Sequence, residues 1–231
     1  MPPGPVVRSA QAVEALLRDL GSRLRRAEAP REAPGRWPTG IAALDRILGG
    51  GFPRGRLGEI AGPASSGRTS LALALLATTT RAGESVGVVD AAGAFDPASA
   101  AEAGLALERT LWVREPRPAE ALRAAEILLR AGGFALVVLD LTRSPPPQAP
   151  MVWLRLSRAA AASRTSLVVL ACAARLTGSH ADLALEMGPA QPRFEGTPPL
   201  LEGLDAEVSV VRNRSGSPGG TARLRFRPPP G

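Results

Sequence analysis

Between an apolar pentad, Leu57-Gly58-Glu59-Ile60-Ala61, and an alanine- and leucine-rich run from Ser70 to Ala77 lies a glycine-framed turn, Gly62-Pro63-Ala64-Ser65-Ser66-Gly67-Arg68-Thr69. The pentad reads as a buried strand and the run as a helix. Few folds accommodate strand, glycine-rich turn and helix in immediate succession. In the pattern G-x-x-x-x-G-K-[ST] the glycines let the backbone curl until its N–H groups face one point, and a terminal hydroxyl ligates Mg²⁺. The positive end of the helix dipole adds to that anion site. Gly62, Ser65, Ser66, Gly67, Arg68, Thr69 and Ser70 are therefore the candidate nucleotide contacts, with Thr69 as a metal ligand. Arg68 departs from the pattern, standing where it asks for lysine.

Composition bears on that departure. All 28 basic residues are arginine, and neither lysine nor tyrosine occurs in the 231 residues. An arginine at one lysine position is thus weak evidence that lysine was rejected there. Its physics differs all the same, because a guanidinium is longer, planar and permanently charged. The net charge of +7 suits an anionic partner such as nucleic acid, although only 3% of residues are aromatic and could stack on bases. Cys172 is the sole cysteine, ends an apolar run and reads as a buried core thiol; no disulfide within the chain is available. No signal peptide and no apolar stretch of membrane-spanning length is recognisable, which predicts a cytoplasmic protein with no membrane partner.

Residues 1–37 read as an arm and linker. Val13, Leu16, Leu17, Leu20 and Leu24 recur at helical spacing among arginines, forming an amphipathic stripe for the protein's own core or a partner. Pro30, Pro34 and Pro38 separate that helix from the rest of the chain. From residue 38 to 227 strands and helices alternate. The expected strands are 85–90, 110–113, 135–140 and 166–171, and the expected helices lie near 98–103, 118–130 and 151–163. The strands are continuously apolar, as a parallel sheet covered on both faces requires. The fold class is therefore α/β. Later segments, 182–187, 207–211 and 222–226, alternate in polarity and read as an antiparallel extension, with a turn at 217–220. Pro228 to Pro230 cannot continue a ladder.

Asp140 closes the apolar strand 135–140, the position from which a carboxylate can hold the Mg²⁺ hydration shell beside a phosphate loop. Asp90 closes the strand 85–90 and competes for the role. His180 sits in a short loop with no other metal-ligand type beside it and reads as a surface histidine. The three tryptophans are scattered and read as packing residues.

Several stretches together resemble the RecA recombinase family. Thr39-Gly40-Ile41-Ala42-Ala43-Leu44-Asp45 before Gly49-Gly50-Gly51 is similar to its leading segment, and the Gly62–Thr69 turn to its phosphate loop. Asp90-Ala91-Ala92-Gly93-Ala94-Phe95-Asp96-Pro97 is similar to the segment after the second strand, and Val208 to Arg214 to a late strand ending in two basic residues. The resemblance implies a RecA-like phosphate-loop core with a mainly parallel sheet, an antiparallel C-terminal extension and an N-terminal amphipathic helix. It also implies ATP and Mg²⁺ as ligands, Asp96 at the adenine, and Arg212 and Arg214 reaching either a neighbouring subunit's nucleotide phosphate or DNA.

The departures from the family are specific. Ala92 stands where a carboxylate activates the attacking water, and loss of such a group costs about 10² to 10⁴ in rate. Ser99 replaces the aromatic that stacks on adenine. The two segments matching DNA-binding loops, 141–150 and 173–181, look short, and the family's separate C-terminal domain has no counterpart. These features are most similar to the ImuA branch, RecA-like accessory proteins of bacterial mutagenic translesion synthesis. That branch implies an adaptor with poor ATP hydrolysis whose partners are an ImuB-like polymerase-related protein, RecA and DNA, with self-association also open. A DNA-dependent ATPase and a basic nucleic-acid-binding module are the competing expectations.

Overall fold

A computed structural model describes residues 6–7, 35–143, 150–172, 176–216 and 219–226. The arm residues Val13, Leu16, Leu17, Leu20 and Leu24, the Pro228–Pro230 tail and parts of the two short loops lie outside the described residues.

The continuously apolar segments form the centre of a ten-stranded sheet. Its parallel part comprises β4 (Leu57–Ala61), β5 (Val86–Asp90), β6 (Thr110–Arg114), β7 (Leu136–Asp140), β8 (Ser166–Ala171) and β9 (Leu183–Met187), in the spatial order β6-β5-β7-β8-β4-β9. A short strand β1 (Val6–Val7) pairs with the outer side of β6. Beyond β9 the sheet turns antiparallel through β11 (Leu200–Asn213), which is flanked by β10 (Gln191–Glu195) and β12 (Thr221–Phe226). A separate two-stranded ribbon joins β2 (Arg36–Trp37) to β3 (Phe52–Pro53). The α/β class and the antiparallel extension are as the sequence implies.

Both faces of the central strands are covered, which explains their lack of polar alternation. Val88, Leu136, Val138, Val168 and Leu170 face one core, together with residues of α1 (Ala42–Leu48), α2 (Arg68–Arg81) and α3 (Pro97–Glu102). Their neighbours Val89, Val137, Leu139, Leu167 and Val169 face the other, under α4 (Pro118–Ala131) and α5 (Pro150–Ser163). Successive side chains of a strand point to opposite faces, so each strand feeds both layers. Burying a leucine or valine in this way stabilises the fold by about 1.5–3 kcal/mol.

Local chemistry sets the helix ends. Asp96 caps α3 by accepting the Ser99 N–H at 2.8 Å, with Pro97 in the first turn. Thr39 is fully buried and donates both its N–H and its Oγ1 hydroxyl to Asp45 Oδ1, each at 2.8 Å, which folds the leading segment back onto α1. Trp37 and Trp153 are core residues, and Trp112 packs against Phe95 with ring centroids 5.3 Å apart. Arg54 lies over the Trp37 ring, 3.5 Å from its centroid.

Cys172 is corrected by the structure. β8 ends at Ala171, and the next residue stands at the exposed rim of the sheet rather than in the core. Its thiol donates to the Thr142 carbonyl.

Candidate functional site

The glycine-framed turn leaves the carboxyl end of β4 and enters α2, whose first residue is Arg68. Gly67 has φ +85°, a left-handed conformation that glycine adopts without strain. A side chain there is also excluded by contact, because an added Cβ would meet the Phe226 ring at 2.6 Å. At Gly62 a Cβ would lie 2.6 Å from the Met187 carbonyl oxygen. The ends of β9 and β12 therefore pack directly against the turn, and only glycine fits at either framing position. Sequence reading missed Met187 and Phe226, since nothing in their local pattern connects them to a turn so far away in the chain.

Arg68 does not project freely from the turn. Its guanidinium donates to the Gly62 carbonyl, across the turn, and to the Ala171 carbonyl at the end of β8, 2.7 Å away. The cation thus links both strands that flank the site by hydrogen bonding to their carbonyl groups. Ser65 and Thr69 are exposed, Ser70 is half-buried and Ser66 is buried. The Ser66 hydroxyl is buried without a hydrogen-bond partner among the described residues, a polar group available to an incoming ligand.

Asp90 and Asp140 stand side by side in the parallel register of β5 and β7. They differ in how their oxygens are used. Asp90 Oδ1 accepts the Ala94 N–H at 3.1 Å and Oδ2 the Phe95 N–H at 3.2 Å, so this carboxylate shapes the loop that comes after it. Asp140 accepts the N–H and hydroxyl of Thr142 through Oδ1 alone, at 2.9 and 2.6 Å. Burial pushes the Asp140 carboxyl above the usual carboxylate range; the Thr142 hydrogen bonds oppose this, the Asp90 charge adds to it, and Arg68 opposes it. Thr69, Asp90 and Asp140 line one small cavity between α2 and the sheet. Of the two competing carboxylates, Asp140 has an oxygen with no hydrogen-bond partner among the described residues, whereas each oxygen of Asp90 already accepts a backbone N–H, which favours Asp140 as the cation ligand.

The other candidate residues occupy separate places. Asp96 lies on the exposed N-terminal edge of α3, where Ser99 donates both its hydroxyl, at 2.6 Å, and its N–H. The Ser99 hydroxyl, with its backbone N–H as the lesser cause, holds the Asp96 carboxyl below its ordinary range. Arg212 donates to the Gly178 carbonyl at 2.7 Å, and Arg214 to the Ser179 carbonyl at 2.7 Å, so both guanidiniums fold onto the turn between β8 and β9. His180 is half-buried in that turn, and no group of three or more metal-ligating side chains occurs among the described residues. The turn is anchored underneath by Glu59, buried in β4, whose carboxylate accepts the Leu176 N–H at 3.1 Å, the Thr177 N–H at 2.8 Å and the Thr177 hydroxyl. Nothing in the sequence marked Glu59 as more than a polar residue in an apolar strand.

Comparison with known proteins decides the ancestry of this arrangement. The RecA N-terminal domain family matches residues 20–153, more than half of the chain. The chain belongs to the RecA family. Protein RecA of Streptomyces avermitilis is 38% identical over 130 residues, covering 56% of this chain and 34% of that protein. For Protein RecA of Chlorobaculum parvum the identity is 45% over 115 residues, 49% of this chain and 33% of that protein. The match thus spans about a third of the length of these RecA relatives. The crystal structure of the RadB recombinase superposes with a TM-score of 0.64 at 23% identity, covering 82% of this chain and 95% of that one. That likeness is one of fold. The order of RecA-like segments from residue 38 onward agrees with it. No helix among the described residues is long and apolar enough to cross a membrane.

Proposed function

We propose that this chain is a RecA-like accessory protein of DNA-damage-induced mutagenic translesion synthesis, acting through protein contacts rather than through efficient ATP hydrolysis. The observation that carries this reading is Ala92. A buried methyl group, 3% exposed, occupies the position that the family resemblance assigns to the water-activating carboxylate. A methyl group can neither take a proton nor orient a water. The engagement of Arg68 with Gly62 and Ala171 supports the same conclusion, because a phosphate must compete with two carbonyl acceptors for that cation.

The residues present still fit a nucleotide. The Gly62–Thr69 turn would hold phosphate through its N–H groups, and Thr69 with the second oxygen of Asp140 would hold Mg²⁺. When bound, the metal neutralises phosphate charge. A nucleotide held without turnover stiffens the turn and the strand ends around it, which suits an adaptor that presents a RecA-like surface to an ImuB-like polymerase-related partner and to RecA.

The test is a pull-down with both candidate partners, with a damage-induced mutagenesis assay of a strain lacking residues 1–28. Capture of a partner and loss of mutagenesis are expected. Failure to bind either partner, together with unchanged mutagenesis, overturns the reading. A second reading, a DNA-dependent ATPase, is favoured by Thr69 and by the Asp140 oxygen with no hydrogen-bond partner among the described residues, and predicts single-stranded-DNA-stimulated turnover that Thr69→Ala abolishes. A nucleic-acid module built on the C-terminal strands is less well supported, since Arg223 and Arg225 are both committed to Asp205, at 3.1 and 3.3 Å.

A further inference from the structure

A second polar recess lies beside the phosphate turn, at the carboxyl ends of β5, β6 and β7. Arg114, Asp90 and Asp140 are register partners across these three strands. From β5 the chain proceeds outward to β6, whereas from β7 it proceeds the other way to β8. The strand order therefore reverses between β5 and β7. Crevices at such switch points, outside the carboxyl ends of parallel strands, are where open α/β sheets bind ligands. Here the crevice is an open cleft of ≈ 370 Å³ lined by Asp90, Ala91, Ala92, Gly93, Arg114, Pro116 and Arg143.

Its charge is decided by which groups already have partners. Asp90 is 1% exposed, and both its oxygens accept backbone N–H groups from the loop. Glu115, next to the cleft, is buried and is occupied by Arg117, which donates its N–H at 3.1 Å and its guanidinium at 2.9 and 3.1 Å. Asp140 is not among the residues that line the cleft. Arg114, in contrast, is exposed and has no hydrogen-bond or ion-pair partner among the described residues; although it is in register with Asp90, no ion pair joins them. Arg143 is exposed and steered over the cleft floor by a bond from its guanidinium to the Ala92 carbonyl, 3.3 Å away, the one partner its side chain has among the described residues. The buried methyls of Ala91 and Ala92 form a floor without charge.

We propose that this cleft binds a phosphate group, with Arg114 and Arg143 as its ligands. Two guanidinium groups lining one cleft with an apolar floor suit the planar, multidentate recognition of phosphate. Asp90 and Glu115 are engaged by other partners, and neither forms an ion pair with Arg114 or Arg143 among the described residues. Ala92 contributes by its size and neutrality, since a longer acidic side chain there would enter the cleft and cancel the arginine charge. The phosphate belongs either to a nucleotide or to a single-stranded nucleic-acid backbone, and the two sources are separable by experiment. The site is independent of any protein partner.

The probes are tripolyphosphate, ATP with Mg²⁺, and a fluorescein-labelled oligothymidylate, titrated into the full chain by calorimetry and anisotropy. Arg114→Ala and Arg143→Ala are each expected to weaken binding roughly ten-fold, with Ala92→Glu doing the same and Arg114→Lys retaining part of the affinity. Both arginines are exposed, so thermal unfolding of the variants should match the parent protein. If the oligonucleotide is affected, its salt dependence falls by about 0.7 for each phosphate no longer neutralised, and the backbone is the source. If ATP is affected but the oligonucleotide is not, the source is a nucleotide. An effect of Arg114→Ala or Arg143→Ala that persists in a Thr69→Ala background is expected, because it places the phosphate in the cleft rather than in the neighbouring turn. Equal affinities in parent and arginine variants for all three probes, or no binding of any probe, overturn the proposal.

Discussion

The Arg68 guanidinium hydrogen-bonds the Ala171 carbonyl at 2.7 Å while also bonding Gly62, so the one departure from the phosphate-loop pattern doubles as a clasp between β4 and β8. Both bonds leave the same nitrogen, Nη1, and a lysine ammonium on its shorter stem would have to reach that one point to serve both acceptors. Arg68→Lys is expected to lower stability by about 1 kcal/mol and to strengthen ATP binding, measured by urea unfolding and by calorimetry with a non-hydrolysable analogue. Weaker nucleotide binding by the lysine variant would show that the arginine itself grips phosphate.

Gly67 and Phe226 form a second test. Gly67→Ala meets both a left-handed backbone and the aromatic ring, and should destabilise the protein by about 1–3 kcal/mol. Phe226→Ala removes the collision but not the backbone strain. In the double variant the loss at Gly67 should shrink to about 1 kcal/mol, read from a double-mutant cycle in urea. Strict additivity would mean that the ring and the turn do not touch in solution.

Asp140 gives a pH dependence of unusual sign. Burial raises its carboxyl above the ordinary range in the folded protein, so between the unfolded and the folded value the native state holds a proton that the unfolded state has lost. This group's contribution is therefore most favourable below the unfolded value and declines as pH rises through the folded one. Asp140→Asn keeps an oxygen for Thr142 and removes the buried charge. Its melting temperature should exceed the parent's at neutral pH, with the difference shrinking on acidification. The same variant should lose Mg²⁺-dependent nucleotide binding, separating the fold's preference from the site's.

Glu115 titrates in the opposite sense. The Arg117 side chain holds it below the usual range, so its contribution is present above the ordinary glutamate value and disappears as pH falls through the folded one. Arg117→Ala should abolish that acid-side loss, visible as a flatter melting-temperature profile below neutrality. An unaltered profile would mean that the ion pair adds nothing to stability.

Glu59 carries the turn between β8 and β9. Glu59→Ala leaves two backbone N–H groups and a hydroxyl without their acceptor, and a cost of about 3 kcal/mol or more is expected in urea unfolding. Hydrogen exchange should rise first at Leu176 and Thr177. Exchange that rises evenly across the sheet would point to a general packing defect instead.

Much of the architecture was legible in the sequence because β5, β7 and β8 are too apolar to be anything but strands buried on both faces. Asp140 stood out for the same reason, as the first polar residue after such a run. β10 was not legible, since four of its five residues are exposed and its pairing with β11 supplies what its own pattern lacks. The N-terminal half of β11 was missed for the same reason, its solvent-facing leucines reading as loop. The lining of the site was hidden differently. Phe226, Met187 and Ala171 reach the phosphate turn through pairings remote in sequence, and no local period encodes them. Cys172 was misplaced because an apolar run shows where a strand lies but not at which residue the chain leaves the sheet.

The position of β4 bears on how the molecule assembles. Leu57 is in register with Leu167 and Gly58 with Leu183, so both edges of the strand that leads into the turn await segments made much later. Pairings so distant in the chain are slow to form. During synthesis the helix after the turn can wind early, but the strand under it stays an open template until Met187 has left the ribosome. Mutations in β8 and β9 therefore act on the closing of the sheet around β4 as well as on the finished site.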